Sequence, residues 1–399
     1  MKPDTASNLA PADAGAPTQG RRLLSLDAFR GFTIAAMLLV NDPGDWGHLH
    51  PPLAHARWDG WTFTDLVFPF FLFIVGVSMT LSLGQRAVQG GDRRTLVLKL
   101  WKRALTIIVI GLLLNLVQNF DLAGMRVPGV LQRIGLCILL AAPIVVYAGL
   151  RQQVAWILGL LAGYSLLMLL VPAPGADGVL RAGALQPGQD LGSYLDRLLL
   201  DGHLWSQSKT WDPEGLLGTL PALASTLLGV LAGRWLAGSA PPAEKTAWFF
   251  VAGIAALVLG MVLGLVLMPI NKSLWTPSYA LFMTGWALVY FGTFYWLLDG
   301  QPSAAWRATA ARWFKPLVVF GMNALFLFAL SALIATAGYT LKITRTDGSA
   351  VTLQQWLYAP IQALPIAPEN ASLLFALCFV SFMYLIAWGM WRKRWFVKV

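Results

Sequence analysis

Charge is scarce in this 399-residue chain: Asp, Glu, Lys and Arg together make up 12% of it, about half of what a soluble domain carries. With 57% hydrophobic residues and a mean hydropathy of +0.63, that scarcity excludes both a soluble globular enzyme and a disordered protein. Cysteine is nearly absent. Cys137 and Cys378 both fall in apolar blocks, so they read as small buried hydrophobes and give neither a disulfide framework nor a metal site. Only four histidines occur, all outside the apolar blocks: His48, His50 and His55 in one loop and His203 in another. A Gly-rich phosphate loop, an HExxH pair, a CxxC pair and a GxSxG elbow are all missing from any fitting context. No metal is therefore expected, and a co-substrate must be held by less formulaic contacts.

What the chain has instead is apolar blocks long enough to cross about 30 Å of hydrocarbon. Ten are readable: Leu24–Asn41, Thr62–Gly84, Leu100–Gln118, Gly129–Leu150, Val154–Val171, Gly215–Ala237, Ala247–Met268, Ser278–Leu298, Pro316–Ala337 and Ala371–Trp391. The expectation is an all-α integral membrane protein of about ten transmembrane helices with both termini cytosolic. That orientation puts 20 of the 29 basic residues inside and 13 of the 19 acidic residues outside, a balance of +14 against −4. The basic pI near 9.8 then needs no nucleic acid as partner; the bilayer explains it. Residues 1–20, rich in Pro, Ala, Gly and Ser, read as a disordered cytosolic tail and not as a cleaved signal peptide. Residues 21–399 read as a single transmembrane domain with outer loops 42–61, 172–214 and 338–370, the last holding a short interfacial helix near Leu353–Leu364. Trp46, Trp58, Trp61, Trp205, Trp211, Trp275, Trp391 and Trp395 lie at span ends, where tryptophan anchors to the interface. No internal repeat is visible, which gives an inverted-repeat transporter no support.

Polar residues in and beside the spans are the functional candidates, because a lipid-facing polar group is costly. His55 precedes Asp65 by ten residues, and a carboxylate within reach of an imidazole fixes its tautomer and raises its basicity. The bland alternative for His48, His50 and His55 is a solvated loop. Asp27 and Arg30 share a face at the inner end of the first span, as an intramembrane salt bridge or part of a channel, and Asn41 closes its outer end. Gln132, Arg133 and Asn323 are expected to turn inward. Asp212 and Glu214 stand just before the sixth span, where helix capping alone would explain acids, and Asn271 and Lys272 read by default as solvated loop residues.

Seven segments, RLLSLDAFRGFTIAAMLLVN, AHARWDGWTFTDLVFPFFLFIVG, MRVPGVLQRIG, YLDRLLLDGHLW, WDPEGLLGTL, PINKSLWTPSY and FGMNA, occur in an order that resembles the heparan-α-glucosaminide N-acetyltransferase family, from about Arg22 to the end of the chain. The resemblance implies a multi-helix enzyme that takes acetyl from cytosolic acetyl-CoA and delivers it to the amine of a glucosamine unit across the membrane. The family's active histidine matches His55 and its first-span asparagine matches Asn41, both working near the acetyl group. A homodimer is implied too. Departures from the animal members include the extra residues around His48 and His50, Ser331-Ala332 in place of a His-Glu pair, and the lack of a large N-terminal luminal region. They point toward free or short amino sugars as acceptors and toward a bacterial inner membrane.

Charge and resemblance agree on geometry. Anionic acetyl-CoA suits the cytosolic face, with Asp27, Arg30, Lys102, Arg103, Gln132, Arg133 and Asn323 as the expected donor-binding set. A cationic glucosamine suits the outer face, with Trp58, Asp196, His203, Asp212, Glu214, Asn271 and Lys272 as the expected acceptor-binding set. His55, Asn41 and Asp65 are the expected catalytic residues: a base, an amide donor to the oxyanion, and the group that orients the base. An amino-sugar transporter, or an O-acetyltransferase acting on a cell-envelope glycan, are the alternatives.

Overall fold

The structure, a computed structural model, describes residues 23–88, 92–344 and 348–397; the tail expected over residues 1–20 lies outside them. The chain runs through α1 (Leu24–Asn41), a 3-10 turn (Phe63–Leu66) leading into α2 (Val67–Val88), α3 (Arg93–Asn119), α4 (Val130–Tyr147) and α5 (Leu150–Leu170). Then follow the loop helix α6 (Leu191–Leu200), α7 (Thr219–Ala237), α8 (Pro242–Val266), α9 (Pro277–Tyr295) with a π-helical turn (Trp296–Gly300), and α10 (Ala304–Trp313). The last part is α11 (Lys315–Met322), α12 (Ala324–Thr340), α13 (Leu353–Gln362) and α14 (Pro368–Arg392). Two short antiparallel hairpins, Ala173–Pro174 with Leu180–Arg181 and Lys342–Thr344 with Ala350–Thr352, decorate the loops.

Among the described residues nine helices are long and apolar enough to cross a membrane, and α11 with α12 makes a tenth that is bent by 80°. The all-α, multi-pass expectation holds. The ninth span differs: Pro316–Ala337 is not one rod but breaks at Asn323, whose backbone leaves helical geometry at φ −125° and ψ 34°. The broken backbone is paired locally, with the Asn323 N–H donating to Phe320 and the Leu327 N–H to Asn323. Such breaks survive at membrane depth only where protein covers them.

Lipid offers no hydrophobic drive for helix pairing, so close packing has to supply it. Glycines bring backbones together at two helix crossings. A Cβ on Gly31 would lie 1.7 Å from the Leu317 carbonyl oxygen and one on Gly321 1.9 Å from that of Asp27, so α1 and α11 cross with nothing between them. A Cβ on Gly76 would lie 2.0 Å from the Thr226 oxygen, and the same logic joins α2 to α7. Around these crossings Phe29, Phe70, Phe73, Phe291 and Phe294 pack with centroids 5.1 to 6.5 Å apart, the tilted and edge-on spacing aromatic pairs prefer. Asp299 in the π-helical turn accepts the Ser25 N–H at 2.8 Å, an acid placed at the N-terminus of α1. Helices α3 and α8 sit at the periphery with mostly exposed apolar side chains, as lipid-facing helices must. Cys137 is buried as expected, whereas Cys378 is exposed on α14.

Candidate active site

The turn that starts α2 builds the site. Asp65 is the third residue of the 3-10 turn, and with Thr62 it forms a capping box. Its two oxygens divide the work. Oδ2 accepts the backbone N–H groups of Ala56 at 3.1 Å and Thr62 at 3.0 Å, while Oδ1 lies 2.6 Å from His55 Nδ1. The Thr62 hydroxyl donates to the Ala54 carbonyl at 2.6 Å, and Tyr279 on α9 donates its hydroxyl to the Asp65 carbonyl at 2.7 Å. Asp65 is thus sealed in, 1% exposed, while half of the His55 side chain remains open to the surroundings.

Lys272 completes the group. Its Nζ is 3.1 Å from His55 Nδ1, 3.3 Å from Nε2 and 3.6 Å from Asp65 Oδ1. Near-equal distances to two ring nitrogens place the amine over the imidazole face, because an in-plane position between them would collide with the ring carbon. Among the described residues Nε2 has no hydrogen-bond partner other than Lys272. With Nδ1–H donated to Asp65, Nε2 carries the lone pair of a base. Burial pushes the Lys272 amine below its ordinary value, against the attraction of Asp65 and Glu214.

Neighbouring loops are clamped around this trio. Asn271 is fully buried, donating to Asp59 at 3.1 Å and accepting the Leu274 N–H at 2.9 Å, and the Gly60 N–H donates to the Ile270 carbonyl at 2.7 Å. The solvated-loop expectation for Asn271 and Lys272 is therefore corrected: one is wholly buried and the other faces His55. Trp275, expected as an interfacial anchor, is buried too, at φ 52°, with its indole N–H on Ser225 and Phe68 against its ring.

Asp212 and Glu214 do not cap a helix, since α7 begins only at Thr219. Both bind Arg126: Asp212 through two bonds of 2.8 and 2.5 Å, Glu214 through one of 2.5 Å. Burial pushes the Glu214 carboxyl up, but Arg126, Arg133 and Lys272 outweigh it and hold the group below its ordinary value. Gln132 and Arg133, expected with the donor, sit at the start of α4 on the same face as His55. Arg133 donates to the Pro213 and Gly215 carbonyls at 3.1 and 2.7 Å and lies over the Trp275 ring. Asp196 accepts the Leu216 N–H at 2.8 Å, and burial lifts its carboxyl to about 6. His203 Nδ1 contacts the Met125 carbonyl at 2.8 Å. Trp58 donates to the Leu185 carbonyl and packs edge-on against Trp211, which also meets Trp205. Asn41 ends α1, exposed. His48 pairs with Asp45 at 2.7 Å and His50 with Asn370 at 3.0 Å, outside the trio.

On the opposite face Arg30 reaches Asp27 at 3.2 Å, Ser78 at 3.2 Å and the Gly321 carbonyl at 3.4 Å, tying α1 to α2 and α11. Arg103 stands exposed on α3. Lys102 lines a shallow apolar groove on the exposed side of α3 with Leu98, Trp101 and Leu105. The Asn323 amide is taken up by the C-terminal segment, donating to the Trp395 carbonyl at 3.0 Å and accepting the Val397 N–H at 2.9 Å.

Sequence reasoning missed Arg126, Tyr279, Asp59 and Thr62. Only Thr62 carried a local signal, the capping-box spacing to Asp65. No group of three or more His, Cys, Asp or Glu residues able to hold a metal occurs among the described residues.

The family model described as "Heparan-alpha-glucosaminide N-acetyltransferase, catalytic" matches residues 22–194, a stretch that contains Asn41, His55 and Asp65. Human heparan-alpha-glucosaminide N-acetyltransferase is 30% identical over 365 residues, covering 77% of this chain and 52% of the human protein. The mouse protein of the same name is 30% identical over 369 residues, covering 78% of this chain and 53% of its own. The chain spans about half the length of the curated relatives it matches. The multi-pass helical fold, the ordered motifs and these matches agree: the chain belongs to the heparan-alpha-glucosaminide N-acetyltransferase family.

Proposed function

We propose that this protein is a transmembrane N-acetyltransferase that moves acetyl from cytosolic acetyl-CoA to the amine of glucosamine, or of a short glucosamine-containing sugar, at the periplasmic face of a bacterial inner membrane. The observation that carries the proposal is the His55–Asp65 pair at 2.6 Å, its imidazole half exposed. A glucosamine ammonium gives a proton to Nε2, and the freed amine attacks the thioester carbonyl. The carbon–nitrogen bond forms as the carbon–sulfur bond breaks, and the CoA thiolate takes up a proton. Asp65 holds the imidazole in the basic tautomer and stabilises it once protonated, a role worth about 10²- to 10⁴-fold in rate. Asn41 donates its amide to the developing oxyanion, about 10²- to 10³-fold.

Residues 21–399 act as one domain. Both termini face the cytosol, in line with the excess of basic residues on that side, and Arg30 and Arg103 hold the CoA phosphates. Trp58, Asp196, His203, Asp212, Glu214, Asn271 and Lys272 shape the acceptor side, with Arg133 anchoring the loop that carries Asp212 and Glu214. The working unit is a homodimer.

Purified protein in liposomes, given labelled acetyl-CoA and glucosamine, tests this. Labelled N-acetylglucosamine from wild type and none from His55→Ala is the expected result; equal product from both would refute the catalytic assignment. The broken helix at Asn323 favours one competing reading, a transporter, because discontinuous helices line substrate paths in transporters. Glucosamine accumulating unmodified, with no CoA released, would establish that instead.

A further inference from the structure

The Lys272 amine is the nearest nucleophile to the candidate base. Its Nζ lies 3.1 and 3.3 Å from the two ring nitrogens of His55, on a loop whose next-door residue, Asn271, is fully buried and pinned to Asp59. The backbone that carries the lysine is thereby held beside His55. A sugar amine poised for acetylation must also stand within hydrogen-bond reach of His55 Nε2, so the two amines share one neighbourhood. The lysine side chain is 20% exposed, open enough to meet a carbonyl carbon delivered there. Burial pushes its amine below the ordinary lysine value, which raises the fraction carrying a lone pair.

We propose that Lys272 is a self-acetylation site: when donor is bound and no acceptor amine is present, Lys272 Nζ takes the acetyl group. This inference rests on the acetyltransferase reading, since it needs acetyl-CoA to reach His55. Neutral Nζ attacks the thioester carbonyl, a carbon–nitrogen bond forms, the carbon–sulfur bond breaks, and the Nζ proton passes to the leaving CoA thiolate. The product is an amide, which neither CoA nor a sugar amine reverses at neutral pH. It replaces the cation over the imidazole ring with a neutral group and fills the space an acceptor needs, so the modified protein is inactive. Acceptor sugar protects, because it competes for the same acetyl group.

The test uses the full chain in liposomes, incubated with labelled acetyl-CoA alone, with acetyl-CoA plus saturating glucosamine, and without donor. Peptide mass spectrometry is expected to find one acetyl group on Lys272, stable to hydroxylamine, with labelling suppressed at least tenfold by glucosamine and activity lost in step with modification. Hydroxylamine-labile label would place the acetyl group on an imidazole or thiol and overturn the assignment. Label spread over exposed lysines such as Lys102 and insensitive to glucosamine would mark adventitious chemistry and overturn it as well. Glucosamine turnover with no stable label on Lys272 refutes the inference while sparing the acetyltransferase reading; no turnover and no label refutes both. Because the site is mapped in wild-type protein, the result does not depend on how Lys272→Arg folds.

Discussion

Replacing Asp65 with Asn keeps the shape of the side chain and changes one acceptor into a donor, which makes its consequence calculable. In the native turn all the surrounding backbone groups on Oδ2 are donors, the N–H groups of Ala56 and Thr62. An asparagine must therefore turn its oxygen to them and its NH2 to His55. That NH2 can only donate, so Nδ1 of His55 has to accept, and the ring proton moves to Nε2, the nitrogen that must be bare to act as a base. The charge-assisted bond of 2.6 Å is lost as well, at a cost of about 1.5–3 kcal/mol. Both effects fall on the base, so kcat is expected to drop by about 10²- to 10⁴-fold. KM for acetyl-CoA should stay within about threefold, since Asp65 lies away from Arg30 and Arg103. The assay is acetyl transfer to glucosamine in liposomes with a melting curve recorded on the same preparation. A folded Asp65→Asn variant that retains wild-type kcat, or that changes only KM, would refute the argument.

Other outcomes follow from the remaining geometry. Arg126→Ala leaves Asp212 and Glu214 buried without their cation and should cost about 3–5 kcal/mol by denaturant or thermal unfolding in detergent, whereas Lys at this position should rescue only in part. Arg103→Gln is expected to raise KM for acetyl-CoA about tenfold or more with KM for the sugar unchanged, and Lys102→Gln, on the outer side of α3, to leave both near wild type. Asp42, just past the end of α1, has its carboxyl pushed up to about 7 by burial, so its charged form burdens the folded state. The folded protein holds this proton where the unfolded chain has released it, and the associated stability falls as pH rises from about 4 to 7. Asp42→Asn should accordingly raise Tm most at pH 8, less at pH 5, and leave it nearly unchanged only near pH 3, below the unfolded carboxyl's own value.

Sequence reading recovered what local pattern encodes. Apolar blocks gave the passes because a spanning helix needs a fixed length of apolar chain, and the Asp27–Arg30 pair followed from helical spacing. His55 and Asp65 could be joined because only ten residues separate them. The rest depends on distant partners. Arg126 meets acids 86 and 88 residues away, and Lys272 meets His55 across 217 residues, distances over which no periodicity speaks. Asn271 looked solvated because its polarity suits a loop; its partner Asp59 lies 212 residues earlier. The break at Asn323 was invisible for a different reason: hydropathy averages over a window and is blind to direction, so a helix bent by 80° and a straight one score alike. Arg133 read as a group beside the donor because a buried arginine in a span suggests an anion, when its partners are the carbonyls of a loop.

The divided carboxylate of Asp65 has a consequence for how the site would be watched in solution. The oxygen that caps the turn and the oxygen that holds the imidazole belong to one carboxylate, so opening the turn from Ala56 to Thr62 also removes the partner of His55, whereas the half-exposed imidazole can turn away with the turn still closed. The amide protons of Ala56 and Thr62 then exchange with solvent when Asp65 lets go of the turn. Their protection factors set a lower limit, without substrate, on how often the His55–Asp65 pair comes apart.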